Sequence, residues 1–235
     1  MTFHVKHFLF LFILFPLALY SQNMGTTTLE IKPNPTMPSR DMEIDRFLDQ
    51  FEETKLLNNG QKEWFYWTNY SRKNPAKFWD SVISPFLNSF PNLNSRNSNS
   101  LKVELYKQPS LSMMKPNVDL LRMSQEHASV SASKKVGPSH TSPNGFTFQN
   151  RVTKAGIKYC AGENISIGRW NPTLSLVLLY IDEGVSGLGH RKSLLDPTFV
   201  EMGIGIGIYP NDQFFIVQDF ACNQSEGNVS RETNR

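Results

Sequence analysis

EMGIGIGIYPNDQFFIVQDFA, residues 201–221, divides at Pro210, Asn211 and Asp212 into two apolar runs. Turn residues between two extended runs predict a hairpin, Glu201 to Tyr209 against Gln213 to Ala221. Successive strand side chains point to opposite faces, so Met202, Ile204, Ile206 and Ile208 share one face and Gly203, Gly205 and Gly207 share the other. A face made only of glycines lets a helix backbone come close. A dinucleotide-binding glycine fingerprint is a loop between strand and helix, whereas these glycines lie inside the strand, which argues against nucleotide binding.

Upstream of the hairpin, Glu163 to Ile167 reads as another strand, with Ile165 and Ile167 on one side. Asn171 and Pro172 supply the cap and first turn of a helix carrying Leu174, Val177, Leu178 and Ile181, expected to end at Gly184. A short helix from about Thr147 to Ala155 should stop at Gly156 in a left-handed cap. Pro116 reads as the first-turn proline of a longer helix on which Leu121, Ala128 and Ala132 share a face, ending near Gly137 and Pro138. His127 on that helix is expected to be a packing residue. The aromatic-rich segment from Gln61 to Leu87 reads as two helical pieces, the second opening after Asn74 and Pro75. The Asn- and Ser-rich run from Asn92 to Ser100 reads as an exposed loop before a short extended run, Val103 to Tyr106. Ile44, Phe47, Leu48 and Phe51 recur at three and four, which predicts an N-terminal helix within 41–59.

With 235 residues, 39% of them hydrophobic and 17 of them Phe, the chain has material for one packed domain once its ends are set aside. Residues 1–21 open with Lys6 between His4 and His7, run apolar from Phe8 to Leu19 and close on Tyr20 and Ser21, the order of a signal peptide cleaved near Ser21. That run is shorter than the about 20 residues a membrane-spanning helix needs, so a secreted protein without integral membrane association is expected. Residues 22–40, rich in Thr, Pro and Asn, read as a flexible linker, 60–222 as the folded domain, and the polar residues 223–235 as a disordered tail. Cys160 and Cys222 both lie in the exported part, where an oxidising medium favours a bridge between them; two buried thiols are the alternative. A net charge of +3 from 24 basic and 21 acidic residues, without a basic stripe, gives no nucleic-acid partner.

Four stretches then stand in a telling order: QEHA (125–128), SHTSPNGFTFQNR (139–151), GENISI (162–167) and GHRKSLL (189–195), followed by MGIGIG (202–207) and VQDFA (217–221). In order and spacing they resemble the bacterial branch of the CAP superfamily: the cysteine-rich secretory, antigen 5 and pathogenesis-related proteins with their SCP-like domain. The resemblance implies an α/β (α+β) fold, a three-layer α-β-α sandwich around a central, mainly antiparallel sheet. The chain departs from many members at Tyr180, where they carry tryptophan, and in GVSGLG (184–189), longer than their usual turn.

The resemblance also implies that two histidines and two acidic residues face one cleft, and it carries these roles onto His140, Glu163, Glu183 and His190, with Asp182 the rival of Glu183. Imidazoles and carboxylates are ligands for a divalent metal such as zinc, and equally groups for acid and base work. Each also has a structural alternative: His140 capping the turn at Pro143 and Gly145, Glu163 binding backbone amides, His190 anchoring its loop. Family membership implies sterol, fatty-acid and metal binding and occasional protease activity. The expected function is binding of a lipid-like or peptide ligand in or beside the His/Glu cleft, with no required cofactor. The alternatives are a metal-dependent hydrolase using Glu163 or Glu183 as base, and an extracellular interaction protein with a vestigial cleft. No His-Glu-x-x-His pair is present, and Ser186 lacks the glycine two residues on that a nucleophile elbow requires.

Overall fold

A computed structural model describes residues 28–224, so the expected signal peptide (1–21) and all but the start of the expected tail (223–235) lie outside the described residues. Residues 28–40, from the segment expected to be a linker, form no helix or strand yet lie on the domain. Leu29 and Met37 pack against the core, and Arg40 sits 3.8 Å over the Tyr66 ring while pairing with Asp45 and Glu63. Asp41 caps α1 (Met42–Leu48). The one helix expected within 41–59 is corrected here: α1 stops, and the chain resumes as a 3-10 turn, Glu52–Leu56. The buried Thr54 hydroxyl donates to Leu48 O, the carbonyl that a continuing helix would have used.

α2 (Asn59–Lys73) opens on a reciprocal cap between Asn58 and Gln61. α3 (Pro75–Phe78) continues through a wide turn at Trp79–Ile83 into α4 (Ser84–Ser89). α5 (Arg96–Lys107) overturns both the loop expected at 92–100 and the extended run expected at 103–106. Ser95 and Ser98 cap each other's backbone, so the Ser-rich run starts a helix; Leu101 and Leu105 are buried one turn apart, and Val103 and Tyr106 face outward. β1 (Lys115–Pro116) corrects the role of Pro116, which lies in a strand and not in a first helical turn. The N–H groups on either side of it, of Lys115 and Asn117, bond to Val200 O and Met202 O, so proline stands where the ladder needs no donor. Asn117 caps α6 (Val118–Ser133), which ends short of Gly137. There follow α7 (Phe148–Ala155), capped by Thr147 and closed by left-handed Gly156, β2 (Ala161–Gly168), α8 (Pro172–Ile181), capped by Asn171, α9 (Gly189–Leu195), β3 (Glu201–Ile208) and β4 (Phe214–Ala221).

The sheet has the order β1-β3-β4-β2, with β1 parallel to β3 and the other two pairings antiparallel. α6, with α7 beside it, covers one face, and α2, α8 and α9 pack on the other, which makes the three-layer α-β-α sandwich. The glycine face of β3 receives α6 backbone to backbone. A Cβ placed on Gly203 would lie 2.2 Å from Leu120 C, on Gly205 2.0 Å from Ser124 O, and on Gly207 2.2 Å from Ala128 O. Four helical residues rise about 6.0 Å and two strand residues about 6.6 Å, so positions 120, 124 and 128 keep step with alternate strand residues. On the opposite face Met202 and Ile204 join the main core with Trp64, Phe65, Tyr180 and Phe220. Arg72 is fully buried in α2, and its guanidinium donates to the carbonyls of Ser112, Leu194, Asp196 and Phe199, fastening α2 to the segment before β1, to the end of α9 and to the chain that follows it. No helix among the described residues is long and apolar enough to cross a membrane.

Candidate functional site

β2 is an outer strand, paired only with β4. Along it lies a cavity of about 1210 Å³, lined by Ile165, Ile167 and Trp170, by Leu174 and Leu178 of α8, and by Leu29 from the segment before α1. His140, Glu163, Asp182, Glu183 and His190 all reach this one cavity, so the residues singled out in the sequence are brought together.

Glu163 on β2 lies in one row with Asp219 on β4 and Gly203 on β3, on the face toward α6. Its Oε1 accepts from His140 Nδ1 at 2.8 Å, and its Oε2 accepts a short bond from Arg151 Nη2. The Arg151 guanidinium also donates to His140 O, Ser142 Oγ and Phe146 O, so α7 holds the loop that presents His140. Burial works against ionising Glu163, but the His140 bond and the Arg151 charge outweigh it and hold the carboxyl below its usual range. His127 grips the same loop from α6: Nε2 donates to Ser139 O at 2.9 Å and Nδ1 accepts from Ser142 Oγ at 2.9 Å. Burial lowers its pKa, in keeping with a neutral packing histidine.

Asp219 is fully buried, and no N–H or O–H of the described residues is directed at either oxygen as an acceptor. Burial, then the charge of Glu163, push it well above the usual carboxylate range. In the neutral form so favoured, its own O–H can be given to Glu163.

The second pair forms where α8 ends. The helix stops at Ile181 instead of the expected Gly184, because Asp182 adopts the left-handed conformation (φ 56°) that a short polar side chain tolerates. Its buried carboxylate turns onto the start of α9: Oδ1 accepts from His190 Nδ1 at 2.7 Å, and Oδ2 from the N–H of His190 at 2.9 Å and of Arg191 at 3.3 Å. Glu183 is left exposed on the cavity rim. Glu183 and its rival Asp182 thus both reach the cavity, and it is Asp182 that pairs with His190. Arg191, buried, fixes the junction by donating to Tyr180 O, Ile181 O and Asn97 O. The Tyr180 hydroxyl pairs with Ser71 Oγ at 2.7 Å, and burial pushes its pKa to about 12.

Each imidazole therefore sets its Nδ1 on a buried carboxylate, and Nε2 is the ring nitrogen with no hydrogen-bond partner among the described residues. Carboxylates in that position orient metal-ligating histidines in other proteins. Here the oxygens of Glu163 and Asp182 are all engaged, and among the described residues no three His, Cys, Asp or Glu side chains gather as a metal-holding group. The two imidazoles, with Glu183 on the rim, are then the donors left uncommitted at the cavity. Cys160 and Cys222 are bridged, Cα atoms 5.4 Å apart, tying the start of β2 to the end of β4. Arg151 and Asp219 were missed as site residues. Both stand in quoted motifs, and an acid inside the apolar run FFIVQDFA was the available signal.

The fold and this paired cleft define a class. The sequence model of CAP, the cysteine-rich secretory protein family, matches residues 63–220, about two thirds of the chain, and the chain belongs to that family. No curated protein matches it by sequence. Among solved structures, an extracellular SCP-domain protein of Bacillus anthracis is 22% identical over 52% of this chain, which spans 37% of that protein's length, at a TM-score of 0.37. Venom allergen-like protein 4 of Schistosoma mansoni is 16% identical, covering 72% of this chain and 92% of its own, at 0.43. NaASP2, solved with Zn2+, is 11% identical, covering 70% of this chain and 80% of its own, at 0.40. All three scores are low, and membership rests on the sequence match.

Proposed function

We propose that this is an exported CAP protein that binds a lipid-like or peptide-like ligand in the cleft along β2, with His140 and His190 as its polar anchors. One observation carries the reading: both histidines line the same large, mainly apolar cavity, and each is oriented by a buried carboxylate. A few fixed polar groups in an apolar cavity are the usual make-up of a ligand site. Export is supported by the disulfide and by the signal-like residues 1–21. A divalent ion such as zinc would be held by the two Nε2 atoms, and when bound would polarise a ligand oxygen. Glu163 and Asp182 have each oxygen already accepting a hydrogen bond, so a hydrolytic reading would have to draw its base from an imidazole Nε2 or from Glu183 on the rim. Native mass spectrometry of the protein purified from its host should find a co-purified small molecule that His140→Ala with His190→Ala loses. Zinc calorimetry on the same pair should show one site lost in the double variant. Because neutral imidazole is the ligand form, uptake should weaken on acidification. Equal ligand and zinc retention by both proteins would place binding elsewhere.

A further inference from the structure

The free edge of β2 has a hydrogen-bonding phase that can be read from its neighbours. Cys222 N–H bonds to Cys160 O just before the strand, and the β2–β4 register continues from there without a bulge. In an antiparallel ladder bonded and non-bonded pairs alternate. Gly162, Asn164 and Ser166 therefore direct their N–H and C=O toward β4, and Glu163, Ile165 and Ile167 direct theirs away from it, into the cavity they line. Among the described residues no group pairs with that outer row. Unpaired N–H and C=O groups between apolar walls are costly unless something bonds them.

From this row we infer that the cleft takes its ligand as an added strand: an extended peptide of about five residues pairs its backbone with Glu163, Ile165 and Ile167. The inference rests on the cleft-binding reading above and narrows it to one ligand class. Alternating partial charges along the edge match the donor–acceptor period of a peptide backbone, which is how strand addition gains affinity without fixing a sequence. A lipid chain satisfies none of these groups. A second copy of the domain is disfavoured by shape, because the edge lies within a cavity bounded by Leu174 and Leu178 of α8 and by His140. A single extended chain enters such a recess; a sheet edge flanked by its own helices does not. Successive ligand side chains would point alternately toward His140 and toward α8, so the natural ligand should carry apolar residues at every second position.

The probe is a pool of blocked hexapeptides with randomised apolar residues at alternate positions, added at millimolar concentration to the whole protein. The readout is amide hydrogen exchange, with Trp170 fluorescence recorded alongside. In the free protein the Ile165 and Ile167 amides should exchange fast and those of Asn164 and Ser166 slowly. The pool should slow Ile165 and Ile167 at least tenfold, and a pool N-methylated at every position should not. Ile167→Pro removes one outward N–H at an edge position where proline is tolerated, so it should fold and bind the pool at least tenfold more weakly. Slow Ile165 and Ile167 exchange in the free protein would show the edge already covered by the chain itself and overturn the inference. Protection that grows with protein concentration alone would do the same in favour of a second copy. If the pool protects nothing while oleate shifts Trp170 fluorescence, strand addition is wrong and the cleft-binding reading survives; if neither ligand acts, both fall.

Discussion

Asp219 holds a proton that its unfolded counterpart would give up near pH 4, and this sets a sign for how stability varies with pH. A raised carboxyl pKa in the folded state favours folding at low pH. That contribution is lost as pH rises from about 4 toward the folded value, by roughly 1.4 kcal/mol for each pH step of one between the two. Asp219→Asn keeps a neutral donor facing Glu163 and escapes this loss. Urea unfolding should show the Asn variant gaining on the parent as pH rises above about 4; a difference independent of pH would refute the assignment. Glu163 works in the opposite direction, since its lowered pKa stabilises the fold above about pH 4 and the effect fades on acidification. The two candidate carboxylates beside His190 separate just as sharply. Asp182→Asn disturbs a buried acceptor of two backbone N–H groups and an imidazole, and should cost about 1–3 kcal/mol, whereas the exposed Glu183→Gln should change stability by less than about 0.5 kcal/mol. At this scale the histidines and Glu163 were legible because they stand in ordered motifs. Asp182 was not, because one left-handed residue decides which of two adjacent acids turns inward.

Between β3 and α6 the decisive quantity is backbone separation. Gly205→Ala would set a Cβ 2.0 Å from Ser124 O, a backbone atom that cannot swing aside, so the helix must lift from the sheet. The expected cost is about 3 kcal/mol, the upper part of the range for overpacking. Gly168→Ala, at the end of β2 with nothing within 4 Å of the added carbon, is the control and should change stability by less than about 0.5 kcal/mol. Equal effects from the two substitutions would mean that strand propensity, and not the close approach of α6, is being measured. The hairpin, the glycine face and the caps at Asn171 and Gly156 could be read from sequence because each is a local pattern with one geometric meaning. α5 could not, since a Ser-rich stretch serves equally as loop or as helix cap until Leu101 and Leu105 find a core to enter. Pro116 was misread for the same reason: its missing N–H suits a first helical turn and an undemanding strand position alike, and only the distant partner β3 decides between them.

Across the whole domain, the bridge between Cys160 and Cys222 closes a loop of 62 residues that contains β2, α8, α9, β3 and β4. On a chain-entropy estimate its removal should cost about 4 kcal/mol, and Cys160→Ser with Cys222→Ser should unfold at correspondingly lower urea. An unchanged midpoint would mean that the unfolded chain keeps the two ends together without it. Three layers were foreseeable from the family resemblance of the ordered motifs, but the docking of residues 28–40 onto them was not: Leu29, Met37 and Arg40 are scattered single contacts with no period to detect. The position of the bridge also governs how the domain bears load. Without it, tension on the C-terminal tail would peel β4 from the sheet one rung at a time, the mode in which a ladder resists least. With it, the load passes at Cys222 through a covalent link to Cys160, and β4 can no longer be stripped from that end. Pulled from the tail by optical tweezers, the oxidised protein should rupture at a clearly higher force than the reduced one, in a single step that bypasses the hairpin.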